Sequence, residues 1–407
     1  MLAFDLGAWA VPCAAQSTAL QLSLADALDR AEEHAPELVM AGHAVRKAEA
    51  QRTGAGVVMP QNPRISADVR SPADSGWAKD AGYGAMLDLL FEVGGAPAAR
   101  VREANKGVAV ARAEGELERM HARLRVWAAY LQAQISQLRI EHAHSAAELA
   151  QRVLAAAKKR VEMGAASDLE LTSAQLELAQ IEVAGQAAVR EHDERLMALR
   201  DALDLDARQA LALTTLVEDP PALAQVDRYV ERARRAHPLT AASDARLRAL
   251  EATRERLERE KTPRVGLYGG IDSAPASHSF AIFGVSVELP FAQRNQGPLA
   301  VNARAQQAEA GWRVLSEHRI ERGVVAAWQS YELRRAELEM LSNAALPAAQ
   351  RSFQLAEAGF SAGRFDWFRV AVAARDLVRV RAERLDALAA AWAQRIAVEQ
   401  AVGGQVP

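Results

Sequence analysis

The sequence predicts a mainly α-helical fold with a small β part, built as two copies of one pattern. Three observations carry this. Alanine makes up roughly a fifth of the 407 residues and, with Leu, Glu, Arg and Lys, gives the composition of long helices and coiled coils. Pro63-Arg64-Ile65 returns 200 residues later as Pro263-Arg264-Val265, each opening a stretch that alternates by two. After each such stretch come two long runs of helical periodicity without a strand signal.

Residues 1–15 are apolar and end in small side chains, as a secretory signal does, but they lack a basic start and carry Asp5. A degenerate signal segment cleaved near Ala15 is expected. Cys13 is a lipidation candidate, although Pro12 before it fits a lipoprotein signal poorly; the alternative is an unmodified cysteine removed with the signal. As the single cysteine, it excludes an internal disulfide framework and a cysteine-based metal cluster.

Residues 16–215 form the first repeat and 216–407 the second, with Pro220-Pro221 marking the linker between them. Each begins with a shorter helical pair, about 23–56 and 226–261. A β-hairpin follows, about 63–92 in the first and 264–290 in the second. In the first hairpin Ile65, Ala67, Val69, Tyr83, Ala85, Leu87, Leu89 and Phe91 share an apolar face; Asp68 and Asp88 lie on the other. In the second, Val265, Leu267, Ile271, Phe283, Val285 and Val287 oppose Asp272 and Glu288, while Phe280 and Ile282 fall on the polar side. Each hairpin closes in a glycine-containing corner and a proline suited to a first helical turn, FEVGGAP (91–97) and FAQRNQGP (291–298). The long helices are expected at 97–163 and 168–203, then at 298–358 and 366–402. Pro347 should kink or break the third of these. The chain reverses at tips 163–168 and 359–366, where Gly164 and Gly363 permit left-handed backbone. Asp168 and Asp366 open the returning helices and suit the N-cap position.

Sixty-odd helical residues span roughly 90–100 Å, too long to bury an apolar stripe in a globular core, so these helices must pack lengthwise against others. Strands of about nine residues match an oblique bilayer crossing. Four strands cannot close by themselves and open edges are not tolerated in lipid, so a membrane barrel would need several chains. Ordinary hairpins packed on the helices of a soluble protein are the alternative.

With Lys+Arg 49 against Asp+Glu 52, the net charge of −3 argues against nucleic acid as a partner. No run of about 18 apolar residues follows the N-terminal segment, so no transmembrane helix is expected. His142 and His144 stand at i and i+2, on different sides of a helix, and methionines are scattered, so no metal site and no cofactor are expected. No nucleophile elbow, phosphate-binding loop, dinucleotide fingerprint or zinc-protease helix is present, and an enzyme is not expected.

VSVELPFAQRNQGPLAVNARAQQAEA (285–310) resembles the TolC family of outer membrane efflux proteins, and in particular its heavy-metal (CzcC-like) branch. LSLADALDRAEEHAPEL (22–38), QNPRISADV (61–69), FEVGGAPAARVREA (91–104), KKRVEMGAASDLELTSAQ (158–175) and AGRFDWFRVAVAARDL (362–377) are similar to it in the same order. Phe360-Ser361 resembles a small insertion at the second tip.

The resemblance implies a homotrimer whose four strands per chain make a 12-stranded transmembrane β-barrel, with long α-helical hairpins forming a periplasmic α-barrel below it. It implies a passive exit duct in the outer membrane, with a long periplasmic extension. Its partners would be outer membrane lipid, a periplasmic adaptor (membrane fusion) protein and an inner-membrane pump of the RND type. Heavy-metal cations are the implied substrate; drug or polypeptide export through the same duct, and a soluble periplasmic coiled-coil scaffold or adaptor, are the alternatives. Met163, Gly164, Ala165, Ala166, Ser167, Gly359 and Gly363 would then be adaptor-docking tips. Asp168, Asp366 and Arg364 become candidates for a periplasmic gate, and Asp68, Asp88, Asp272 and Glu288 would line a mostly acidic lumen that weakly favours cations.

Overall fold

A computed structural model describes residues 19–70, 81–164, 167–273 and 278–404. The signal segment with Cys13, and Ala165 and Ala166 of the first tip, lie outside the described residues.

The chain opens with β1 (Leu20–Leu22), which pairs in parallel with β4 (Leu211–Leu213). Ser23 then caps α1 (Leu24–His34) through a reciprocal box with Asp26. Pro36 starts α2 (Pro36–Thr53), and Pro238 likewise divides α5 (Val226–Ala236) from α6 (Pro238–Arg259). Proline suits both places because the first helical turn leaves its missing N–H without consequence.

Strands β2 (Arg64–Arg70), β3 (Gly82–Glu92), β5 (Arg264–Ser273) and β6 (Ser279–Glu288) form one antiparallel sheet in that spatial order. The two hairpins thus join edge to edge through β3 and β5. At the base of the sheet the chain turns through Gly94 and Gly95, both left-handed, and enters α3 (Ala96–Glu162). A side chain on Gly94 would collide with Thr262, whose hydroxyl donates to the Val93 carbonyl at 2.9 Å. The equivalent corner in the second repeat uses Asn295 in the left-handed conformation, its amide donating to the Leu257 carbonyl.

Helix α3 runs 67 residues without interruption, roughly 100 Å. The returning helix α4 (Asp168–Ala202) covers only its tip-side half; toward the sheet α3 packs on α2 and α6 instead. The second repeat repeats this with α7 (Gln296–Met340), α8 (Leu346–Ser361) and the returning α9 (Trp367–Val402). In the tip-side half the lateral order is α4, α3, α9, then α7 and α8.

Pro347 does not break the helix. Residues Leu341–Ala345 adopt a single π-helical turn, and Pro347 falls in the first turn of α8. The widened turn moves aside the preceding-turn carbonyl that a proline ring would strike, so the rod continues. Arg384 of α9 holds the turn by donating to the Ser342 hydroxyl at 2.8 Å, while also pairing with Asp219 of the linker.

At mid-length along α3 and α7 each repeat builds its own apolar cluster. One joins Leu22, Leu28, Trp127, Leu199 and Leu203; the other joins Ala233, Ile320, Val324, Val398 and Val402. Tyr130 donates to the Leu22 carbonyl, and Tyr331 donates to the Pro221 carbonyl at 2.5 Å. Burial pushes the Tyr331 phenol up to about 12, so it remains a donor at every physiological pH. With Trp328 and Trp392, which donate to the Ala224 and Glu218 carbonyls, these side chains strap the linker onto the helices.

Candidate functional site

The sheet sorts its residues by face. Register pairs Ile65 with Leu87, Leu87 with Gly269 and Gly269 with Phe283 on one side. Val69, Tyr83, Leu267, Ile271, Val285 and Val287 share that side, and all are exposed in the single chain; Ile65 is 78% and Phe283 82% exposed. A continuous apolar face of this kind requires a nonaqueous neighbour.

On the opposite side the register aligns Asp68 with Gly84, Gly84 with Asp272 and Asp272 with Phe280. Asp88 lies between Arg64 and Tyr268, and Glu288 opposite Arg264. All four acids expected to share a face do so, together with Glu92. As the alternation by two requires, the face also carries Arg64, Arg70 and Arg264; what the structure adds is how two of them pair with the acids. Arg70 pairs with Asp68 at 2.9 Å and with Asp272. Arg264 lies 3.7 Å from both Glu92 and Glu288. Glu92 is buried and also bonded by Arg100, which donates to the Val57 carbonyl and so fastens the sheet to the helices. Two glycines make room: a Cβ on Gly84 would meet Asp68, and one on Gly284 would meet the phenol end of Tyr268. Phe280 and Ile282 do fall on this polar side.

Among the described residues, strands β2 and β6 each lack a partner on one side. On α4, Leu169, Leu176, Val183 and Met197 are exposed at multiples of seven residues, on the side away from the buried Ala174 and Leu199. On α7, Val301, Leu315, Leu333 and Met340 are exposed opposite Ile320, Val324 and Leu338. The two lateral helices therefore end in unlike apolar stripes.

The tips are built as helix C-terminal turns. Gly164 and Gly363 are left-handed, and their N–H groups donate to the Val161 and Phe360 carbonyls at 2.9 Å. Gly359 lies within α8 rather than in the tip, as do Phe360 and Ser361. Its role is packing. Phe365 folds back onto Gly359, where any Cβ would meet the ring, and the Gly359 carbonyl accepts from the N–H groups of Arg364 and Phe365. Asp366 is the N-cap of α9 and accepts from the Arg369 N–H at 3.1 Å. Asp168 is the first residue of α4; the N-cap is Ser167, which makes no side-chain cap bond. Met163, Gly164, Ser167, Asp168, Arg364 and Asp366 are all exposed, and no ion pair joins the three charged ones among the described residues.

Sequence reasoning missed what holds the tips together. Trp367 is buried against Ala157 and Ala174 and approaches the Val153 carbonyl at 3.4 Å, locking the second hairpin onto the first. Slightly further along, Arg375 of α9 grips Glu177 of α4 at 2.6 Å. Also missed was Trp127-x-x-Tyr130, which recurs as Trp328-x-x-Tyr331, 201 residues on, and marks the mid-length clusters of both repeats. His142 is held below its ordinary pKa by burial and by Arg381, and no group of metal-ligating side chains occurs among the described residues. No described helix is long and apolar enough to cross a membrane.

The described residues thus combine a four-stranded sheet, apolar on one face and polar on the other, with long helices that carry it. Residues 27–204, most of the first repeat, match the family model described as outer membrane efflux protein. The chain is 26% identical over 324 residues to the cobalt-zinc-cadmium resistance protein CzcC of Cupriavidus metallidurans, covering 78% of this chain and 76% of that protein. Among solved structures its fold is similar to that of CusC, with a TM-score of 0.78, 18% identity and coverage of 94% of this chain and 92% of that one. For the outer membrane protein VceC of Vibrio cholerae the values are 0.74, 16%, 94% and 96%. The open-state MtrE channel of Neisseria gonorrhoeae gives 0.72, 17%, 94% and 89%.

Proposed function

We propose that this chain is the exit duct of a tripartite efflux system that removes heavy-metal cations. Three copies close their sheets into a 12-stranded barrel in the outer membrane and their helices into a periplasmic tube. The observation that carries the reading is the sheet itself, apolar and exposed on one face, charged on the other and, among the described residues, unpaired at both edges. A soluble scaffold has no use for such a face in water, so that alternative is unsupported. The unlike stripes on α4 and α7 support a head-to-tail contact, which must close into a ring or grow without limit. A ring satisfies the strand edges by the same operation.

The duct supplies no energy; an RND-type inner-membrane pump and a periplasmic adaptor do the work and the joining. The tips at 163–168 and 362–366 are the adaptor's docking points, and Asp168, Arg364 and Asp366 narrow the opening there. Metal as cargo rests on the likeness to CzcC, whose name states cobalt, zinc and cadmium. The test begins with detergent-extracted protein from separated outer membranes. A particle of three chains of 44.0 kDa is expected. A monomer confined to the soluble fraction refutes the duct. Deleting the gene should then lower tolerance to cobalt, zinc or cadmium; lowered tolerance to drugs alone would move the cargo to that class.

A further inference from the structure

On the polar sheet face each of two arginines joins two carboxylates from different strands. Arg70 on β2 reaches Asp68 on its own strand and Asp272 on β5, spanning β3. It can do so because Gly84 of β3 has no side chain: a Cβ there would stand 2.8 Å from Asp68 and 3.3 Å from Arg70. At the other end of the sheet Arg264 on β5 lies between Glu92 on β3 and Glu288 on β6, at 3.7 Å from each. Four of the five acids on this face are therefore in ion pairs, and only Asp88 makes none among the described residues. Without the guanidinium, Asp68 and Asp272 would leave two anionic groups converging on one place. Paired carboxylates are hard-cation ligands, and three copies around a lumen would make a ring of them. A pathway must bind an ion weakly enough to let it leave.

We propose that Arg70 and Arg264 are specificity-determining residues that neutralise the carboxylates of the barrel wall, so that divalent cations cross it without being retained. Charge on this wall is set by arginine occupancy of the acid pairs and not by the acids alone. Arg70 governs one end of the strands and Arg264 the other. This rests on the duct reading, in which the polar face lines the lumen.

Planar-bilayer recordings of the purified full-length channel test it, with a salt gradient for ion preference and ZnCl2 as the divalent probe. Wild type is expected to show little preference and to conduct unchanged when ZnCl2 is added. Arg70→Gln should shift the reversal potential toward cation preference and lose conductance with ZnCl2. Adding Asp68→Asn and Asp272→Asn to it should restore the wild-type response. If Arg70→Gln fails to assemble, Asp68→Asn with Asp272→Asn must shift the reversal potential toward anions. A conducting Arg70→Gln channel indistinguishable from wild type overturns the proposal, as does an unshifted double variant. A wild-type chain that inserts and forms no conductance refutes the duct itself, which is a separate result.

Discussion

Leu87→Lys tests the face assignment at its most sensitive point. Leu87 is the sixth of eleven residues in β3 and lies in one row with Ile65, Gly269 and Phe283, the middle of the sheet. A lysine at the bilayer midplane on the lipid side of a barrel costs about 2–4 kcal/mol, and the chain recurs three times in the proposed trimer, so about 6–12 kcal/mol if the copies act independently. Val287 shares the apolar face but stands four residues from Phe283 along β6. At about 3.4 Å per residue and a tilt near 40°, that is about 10 Å from the midplane, close to the edge of an apolar band about 25 Å tall. Val287→Lys should therefore cost only about 0–1 kcal/mol per chain. Ser66→Lys, on the polar face, should cost little. The assay is the yield of assembled oligomer in isolated outer membranes at equal expression. The expected order is Leu87→Lys far below Val287→Lys, with Ser66→Lys near wild type. Equal yields for Leu87→Lys and Ser66→Lys would refute the assignment of faces.

Asp168→Ala with Asp366→Ala should raise single-channel conductance if these residues narrow the tip; because Asp366 also caps α9, Asp168→Ala alone is the cleaner probe, and unchanged conductance returns both to the helix ends. Gly359→Val should push Phe365 off α8 at a cost of about 1–3 kcal/mol, read as faster proteolysis within 362–366. Glu399 is buried between Arg232 and Arg395, so Glu399→Ala, which removes the carboxylate the two cations share, should lower the melting temperature by the equivalent of about 3 kcal/mol; an unchanged melt would contradict the pairing. Burial holds His237 below its ordinary pKa of 6.5, so the folded state favours the neutral ring. Its contribution is present above 6.5 and is lost as pH falls through that value. His237→Asn, which keeps an acceptor for the Leu239 N–H, should flatten the pH dependence of stability between 7 and 5.

What was legible in the sequence was what a period can encode. Two-residue alternation in 64–70 and 82–92 placed Asp68 and Asp88 on one face because strand geometry leaves no other choice. The arginines' pairing was hidden, since Arg70 meets Asp272 only after two strand crossings, and the gap at Gly84 has meaning only once register is known. Strands β1 and β4, at three residues each, are too short to leave a pattern. Pro347 announced a disturbance, but a proline signals a missing N–H and not how a helix absorbs it. Gly359 and Gly363 look alike in sequence; only Gly363 has a positive φ, and Gly359 is small because Phe365 needs the space.

The two long rods of the chain are not equals. Helix α3 is unbroken over 67 residues, whereas its counterpart carries one wide turn at Leu341–Ala345, latched by Arg384. In a closed ring, plain staves would alternate with notched ones, all notches at one height. A sideways load on such a tube does not spread evenly along it. It would gather at the notches, where the widened turn interrupts the regular hydrogen-bond ladder of the rod.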